Sequence, residues 1–141
     1  MTLTAHARLG LLTVLTLLAL AACGGNEAQR IQTETLDAWE AHLRWSQFDG
    51  LIDFIHPDYL AANPIAQLDV DRLHQFRVTG YRVRQILVAP DGESLERVAR
   101  VQLYHVHSAR ERVIDHREIW RYDAERKAWL MHSGLPDPRQ R

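Results

Sequence analysis

The sequence predicts an α+β domain in which N-terminal helices pack on a curved, four-stranded antiparallel meander. Apolar residues recur at helical spacing over residues 28–47, and the period changes to two after Thr79. Turn-forming residues then divide the rest of the chain into runs of strand length. Helices followed by consecutive hairpin-linked strands are typical of an antiparallel sheet that carries its helices on one face.

Three helices are expected before the sheet. The first covers residues 28–47. The second covers residues 51–55 and ends before Pro57, because a proline disfavours helical geometry in the residues that precede it. The third covers residues 70–76, with Asp69 as its N-cap.

Four strands follow, separated by turn signals of which Pro90-Asp91-Gly92 is the strongest. In the first strand Tyr81 and Val83 share one face by strict alternation, and Gln85 and Leu87 continue it. The predicted strands cover residues 81–88, 95–107, 112–122 and 128–133.

The register of the second hairpin decides which polar residues face the core. Ala99, Val101 and Leu103 form the more apolar face of their strand and should point inward. A loop at residues 108–111 would place His107 opposite Arg112, His105 opposite Ile114, Leu103 opposite His116, Val101 opposite Glu118 and Ala99 opposite Trp120. A slip of one residue would instead point Asp115 and Arg117 inward.

A loop at residues 123–127 would place Trp120 opposite Leu130 and Glu118 opposite His132. His116, Glu118 and His132 would then form a candidate catalytic cluster. A carboxylate beside imidazoles in a dry cavity can hold a proton acceptor near neutral pH. The alternative is that these are satisfied structural groups, and we prefer it because no independent marker of catalysis accompanies them.

A pocket is expected above this cluster, lined by Trp39, Leu103, His105 and Trp120. His105 and His107 share a strand face, as two metal ligands do, and His132 is a candidate third ligand. Because no cysteine or second paired motif supports such a site, we predict neither a metal nor a cofactor.

Two segments, LDAWEAHLRWSQFDGLIDFIHPDY and EIWRYDAERKAWLMHSGLP, resemble members of the nuclear-transport-factor-2-like superfamily, including SnoaL-like domains. The resemblance spans about residues 33–136. It implies a sheet that curls around the helices into a cone with an apolar pocket, and dimerisation through the open sheet face. Superfamily members include isomerases, dehydratases and ligand binders, so the fold does not specify an activity.

The N-terminus resembles a bacterial lipoprotein signal. Arg8 precedes an apolar run at residues 9–20, which is shorter than the roughly 20 residues that a spanning helix needs. Leu20-Ala21-Ala22-Cys23 then resembles a lipobox, which implies cleavage before Cys23 and lipidation of its sulfur. Gly24 stands where an aspartate would retain a lipoprotein in the inner membrane, so the resemblance favours the outer membrane, on its periplasmic face.

The predicted organisation is a signal peptide at 1–22, a lipidated Cys23 with a tether at 23–30, one domain at 31–136 and a loose tail at 137–141. Cleavage would move the formal net charge from −1 to −2, because it removes Arg8 and no acidic residue. This near-neutral charge argues against a nucleic-acid partner. We therefore expect a membrane-anchored envelope lipoprotein whose cone binds a small apolar ligand or a protein partner, with homodimerisation as an option. The alternative is a SnoaL-like proton-transfer enzyme.

Overall fold

The computed structural model describes residues 27–140. The expected signal peptide, Cys23 and the first residues of the expected tether lie outside this range. Helix α1 covers residues 27–44. It is followed by a 3-10 helix, Phe48–Phe54, by α2 at Pro57–Ala62 and α3 at Gln67–Leu73, and by strands β1 at Phe76–Val88, β2 at Ser94–His105, β3 at Arg110–Asp123 and β4 at Ala128–Met131. Among the described residues no helix has the length and apolar character to cross a membrane.

The four strands form one antiparallel sheet in the order β1-β2-β3-β4. This confirms the predicted α+β class, with helices first and a four-stranded meander after them. Trp39 and Leu43, one helical turn apart on α1, are fully buried in a core shared with the inner face of the sheet. That inner face is contributed by alternate residues, including Ala99 and Val101 of β2.

The helix boundaries after α1 differ from the prediction. Pro57 begins α2, which the sequence reading missed, because proline is well tolerated in the first turn of a helix. His56 caps this helix, since its Nδ1 accepts a hydrogen bond from the backbone N–H of Asp58 at 3.1 Å.

The predicted bounds of the third helix are also wrong. Helix α3 begins three residues earlier than predicted, so Asp69 lies in its first turn and pairs with Arg72 at 3.0 Å instead of capping it. Phe76 belongs to β1, where it is buried. Helix α3 ends before it because the chain must turn to enter the sheet.

Strand β1 is irregular where alternation was expected. The pairing with β2 shifts between Val78 and Gly80 and again between Val83 and Gln85. Each such bulge inserts one residue and moves the following side chains to the opposite face. As a result Gln85 and Leu87 do not continue the face of Val83, and Leu87 instead pairs with Glu96 on the outer face.

The β2–β3 pairing differs from the prediction by four residues. The loop covers residues 106–109, so His105 pairs with Arg110 and Ala99 pairs with His116. An even shift leaves every side chain on its predicted face, because the strand period is two. His116 and Glu118 are therefore buried on the inner face, as predicted.

The β3–β4 pairing differs by a single residue, which has the opposite effect. Trp120 pairs with Met131 and not with Leu130. The turn is one residue shorter than predicted because Asp123 accepts a hydrogen bond from the Arg126 backbone N–H and Lys127 adopts a left-handed φ of 48°. The odd shift moves His132 away from the face that carries Glu118.

Candidate functional site

The centre of the domain contains a buried carboxylate, Glu118, with 0% exposure. Its Oε1 accepts hydrogen bonds from Trp39 Nε1 at 2.9 Å and from the Tyr81 hydroxyl at 2.7 Å. Its Oε2 accepts from Arg97 Nε at 2.8 Å, Arg97 Nη2 at 2.6 Å and Trp120 Nε1 at 3.2 Å. Two carboxylate oxygens offer about four lone-pair sites, so five donors leave none free for another group.

Four elements contribute to this cluster, which we call the Glu118 cluster: Trp39, Tyr81, Arg97, Glu118 and Trp120. Trp39 comes from α1, Tyr81 from β1 and Arg97 from β2. Arg97 and Glu118 are direct partners across the β2–β3 ladder, which explains how two guanidinium nitrogens of Arg97, Nε and Nη2, reach Oε2 of Glu118. The cluster therefore ties α1 to three strands.

In the cluster the positive charge of Arg97 is paired with the negative charge of Glu118, and the Tyr81 hydroxyl is hydrogen-bonded to both. Arg97 Nη2 also donates to the Tyr81 hydroxyl at 3.0 Å, while that hydroxyl donates to Glu118. Burial, and then the negative charge of Glu118, raise the pKa of Tyr81 well above its usual value. Tyr81 thus remains a protonated donor throughout the physiological range.

His116 lies beside the cluster on the inner face of β3. Its ring stacks on Trp39, with centroids 6.1 Å apart and an interplanar angle of 23°. Burial lowers the pKa of His116 to about 4, and the positive charge of Arg97 adds to this while Glu118 opposes it. His116 is therefore neutral near pH 7. Within residues 27–140 its buried Nε2 has no hydrogen-bond partner.

His132, the third residue of the predicted catalytic cluster, lies elsewhere. Its backbone N–H donates to the Ile119 carbonyl at 2.6 Å, and its ring stacks on His56 with centroids 4.6 Å apart. Partial burial, and then the charge of Arg121, lower its pKa. The structure thus brings together His116 and Glu118 but not His132, and the physical reason is the one-residue change in the β3–β4 register.

The residues predicted to line a pocket occupy two environments. Trp39, Leu103 and Trp120 are each at most 1% exposed and form part of the core. Trp39 and Trp120 meet edge to face, with centroids 5.6 Å apart, so they contribute packing where a pocket was expected. His105 lies at the rim, where its Nδ1 accepts from the backbone N–H of Ser108 at 3.1 Å and its ring contacts Phe76.

The three candidate metal ligands do not come together, because His132 lies beside Ile119, far along β3 from the end that carries His105 and His107. His105 and His107 have ring centroids 5.9 Å apart, and the His105 Nδ1 already accepts hydrogen bonds from the turn that follows β2. His132 stacks on His56, as described above. Among residues 27–140 no group of three His, Cys, Asp or Glu side chains is arranged to hold a metal ion.

A cleft of about 720 Å³ lies along β1. It is lined by Glu40, Arg44, Gly80, Tyr81, Arg82, Val83, Arg84, Arg100 and Gln102. Arg44 bridges it, because its Nε pairs with Glu40 at 2.7 Å and its Nη2 donates to the Tyr81 carbonyl at 2.9 Å. Within residues 27–140 neither Arg82 nor Arg84 has a carboxylate within salt-bridge distance. We call this site the arginine cleft.

Two members of the Glu118 cluster, Tyr81 and Arg97, were not predicted as site residues, and Arg97 is the one for which the sequence carried a signal. The signal was present: Arg97 occupies an inward position in the alternating series Leu95, Arg97, Ala99 and Val101. A charged residue at such a position requires a buried partner of opposite charge. Pairing it with Glu118, however, needed the correct β2–β3 register.

Comparison with known proteins adds no assignment. No protein-family model matches the chain, and no curated protein or solved structure matches it at a significant level.

Proposed function

We propose that this chain is a lipid-anchored protein of the bacterial envelope that binds a partner and performs no reaction. The lipobox-like Leu20-Ala21-Ala22-Cys23 supports the anchor and the envelope location, with Gly24 favouring the outer membrane. The binding role is supported by the arginine cleft. The anchor would hold the domain at the membrane, where the cleft meets its partner.

The observation that carries the non-catalytic interpretation is the saturation of Glu118. A general base needs a lone pair that can reach a substrate proton. Both oxygens of Glu118 already accept hydrogen bonds from Trp39, Tyr81, Arg97 and Trp120, and the side chain has 0% exposure. The cluster is suited to fixing α1 on the sheet.

The same packing favours a protein partner over a small apolar ligand. Trp39, Phe54 and Trp120 form an edge-to-face trio with centroids 5.6 to 6.4 Å apart where the resemblance implied a pocket. The arginine cleft instead lies on the outside and offers Arg82 and Arg84, two cations for which no carboxylate of residues 27–140 lies within salt-bridge distance. Its chemistry fits a carboxylate-rich segment of a partner, because guanidinium groups bind carboxylates through paired hydrogen bonds.

We also propose that the fold is a small variant of the nuclear-transport-factor-2-like cone. The helix-first order, the four-stranded meander and the Trp-bearing core are consistent with that resemblance. The two bulges of β1 support curvature, since bulges bend a strand and increase its twist. Homodimerisation through the open sheet face belongs to this proposal.

Lipidation is tested by mass spectrometry of the mature N-terminus. The wild-type chain should begin at Cys23 with diacylglycerol on the sulfur and an acyl group on the nitrogen. The Cys23→Ser variant should lack the lipid and remain folded. A wild-type protein that carries a free Cys23 thiol would disprove the anchor.

Binding is tested by fluorescence anisotropy with a labelled hexaglutamate peptide as the probe. The variant Arg82→Glu/Arg84→Glu should bind it about tenfold more weakly, given that exposed ion pairs contribute up to about 1 kcal/mol each. Arg110→Glu/Arg121→Glu makes the same change in net charge at exposed positions outside the cleft and serves as the matched control. Equal weakening by both variants would show that only overall charge matters.

The second candidate is a proton-transfer enzyme, and one observation favours it. His116 is neutral and its buried Nε2 has no hydrogen-bond partner within residues 27–140, so it could accept a proton. A substrate would have to displace Trp39, which stacks on the ring. Turnover of an envelope metabolite by the mature protein, lost in both His116→Ala and Glu118→Gln, would replace our first proposal with this one.

A further inference from the structure

The end of β1 carries three consecutive exposed apolar residues, Ile86, Leu87 and Val88, which we call the apolar tip. Their side chains are 56%, 55% and 61% exposed. Ile86 pairs with Arg97 on the inner face of the sheet, whereas Leu87 pairs with Glu96 on the outer face. The tip is therefore apolar on both faces of the strand.

This two-sided character distinguishes between classes of partner. A protein that packs on one face of the sheet would cover Leu87 or cover Ile86 and Val88, but not all three. A strand added to the free edge of β1 would pair with backbone groups and leave both faces exposed. An apolar medium that surrounds the strand end would cover every member of the tip.

The tip lies at the end of the domain where the chain arrives from Cys23. The Ala28 carbonyl accepts a hydrogen bond from Trp129 Nε1 at 3.0 Å. A cleft of about 410 Å³ has Ala28, Gln29 and Gln32 on one side and Val88, Asp91 and Gly92 on another. The first turn of α1 and the tip thus face each other across this cleft.

Chain length limits how far this end can stand from the membrane. Five residue steps separate Cys23 from Ala28, and each spans at most about 3.6 Å, so the two are at most roughly 18 Å apart. If Cys23 carries a lipid, Ala28 lies within that distance of the membrane surface. The tip, on the other side of the adjoining cleft, is then within reach of the same surface.

The charges near the tip do not oppose such a contact. Asp91 and Glu93 follow it in the β1–β2 turn, and Arg84 precedes it. Glu96, which pairs with Arg117 at 2.6 Å, and Arg121 line a groove beside Leu87. The three acidic and three basic groups balance one another. A balanced surface is compatible with a zwitterionic bilayer, for which insertion depends on apolar area.

We propose that Ile86, Leu87 and Val88 insert into the phospholipid surface to which the lipid on Cys23 attaches the chain. This inference rests on the proposed lipid anchor. It gives the domain a fixed orientation, with the β1–β2 turn toward the membrane and the β2–β3 turn away from it. It also adds a second membrane contact to the single attachment at Cys23.

The test uses the full lipidated protein in phosphatidylcholine vesicles that contain a nitroxide-labelled lipid. Val88→Cys and Val113→Cys are each labelled with an environment-sensitive fluorophore. Val113 is a matched control, because it is 52% exposed but pairs with Gln102 near the opposite end of the sheet. Val113 lies seven residues from Trp120, the residue of β3 at the same end of the sheet as the tip. Seven residues of strand span roughly 23 Å.

Insertion should shift the emission of the Val88→Cys probe to the blue and quench it, while the Val113→Cys probe remains in water. As a second measurement, Leu87→Ser/Val88→Ser should speed the transfer of the protein between vesicles by about 30-fold. Burial of each half-exposed side chain should strengthen membrane binding by somewhat under tenfold, and the variant loses two of them. Val106→Ser/Val113→Ser, at the far end, should leave transfer unchanged.

The two proposals fail in different ways. An N-terminus without lipid in the mass spectrum would overturn the anchor and, with it, the basis of the insertion. A lipidated Cys23 together with equal, unquenched probes at positions 88 and 113 would overturn the insertion alone.

Discussion

Removal of Arg97 should expose how strongly the Glu118 cluster depends on matched charge. The Arg97→Met variant keeps much of the volume of the side chain but deletes three hydrogen bonds, two to Glu118 Oε2 and one to the Tyr81 hydroxyl. Glu118 would keep only its neutral donors, Trp39, Tyr81 and Trp120. Its charge would then remain in the core without a counter-charge.

The magnitude follows from burial. The Arg97 and Glu118 side chains are 6% and 0% exposed. Removing one partner of a buried ion pair typically costs 3–5 kcal/mol, so we expect the free energy of unfolding to fall by about 4 kcal/mol. The double variant Arg97→Met/Glu118→Leu removes both charges, but it also leaves the Trp39, Tyr81 and Trp120 donors without their acceptor. Its loss of stability should therefore be smaller than the sum of the losses of Arg97→Met and Glu118→Leu, because no unpaired charge stays buried in the double variant.

Urea unfolding followed by tryptophan fluorescence measures these differences, with Trp39 and Trp120 reporting directly from the cluster. The matched control is Arg100→Met, which breaks the exposed pair with Asp115, whose side chains are 42% and 53% exposed. That pair should contribute less than about 1 kcal/mol. If Arg97→Met and Arg100→Met lower stability equally, or if the losses of Arg97→Met and Glu118→Leu simply add in the double variant, the reasoning about the cluster is wrong.

Three further predictions follow from single contacts. Burial lowers the pKa of His116 from its ordinary value of 6.5 to about 4, so between these pH values the unfolded chain binds more protons than the folded one, and the free energy of unfolding should fall by roughly 3 kcal/mol as the pH drops from 6.5 to 4. In urea titrations at several pH values, His116→Leu should remove this pH dependence, and an unchanged slope would contradict the prediction. A Cβ at Gly50 would lie 2.7 Å from Cδ2 of His42, whose ring is held by a hydrogen bond to the Ala38 carbonyl, so Gly50→Ala should lower the free energy of unfolding by about 1–3 kcal/mol. In a double-mutant cycle, adding His42→Ala should recover part of this loss, because it removes the ring that the new methyl group contacts. Glu118→Gln should lower the free energy of unfolding by several kcal/mol in the same urea assay, because the glutamine NH2 group would face the donors that surround the carboxylate. The control Glu96→Gln, at the exposed pair with Arg117, should change it by less than about 1 kcal/mol.

Much of the fold was readable from patterns in the sequence. The change of period after Thr79 predicted where the helices give way to strands, and the apolar face of Ala99, Val101 and Leu103 identified the inner side of the sheet. The inward positions of His116 and Glu118 were also predicted correctly. The four-residue error in the predicted register did not affect them, because the face on which a side chain lies changes only when the register shifts by an odd number of residues.

Other features depended on turn and bulge geometry, for which the sequence carries a weaker signal. The left-handed Lys127 shortens the last hairpin and separates His132 from Glu118. The bulge between Val83 and Gln85 reverses the alternation of β1, so Ile86 lies on the inner face and Leu87 on the outer face, the opposite of what strict alternation from Val83 gives.

The sequence by itself determined the class of the domain, the succession of helices and then four strands, and the faces of the two central strands, because burial of apolar side chains imposes a period that local inspection can detect. Only the tertiary structure decided that Glu118 is bound by Trp39, Tyr81, Arg97 and Trp120. Those donors come from three other segments and from β3 itself, and their convergence depends on strand register and on how α1 packs against the sheet. A pattern along one chain records which residues are buried, whereas the hydrogen bonds of a buried charge are set by the distances between segments that meet only after folding.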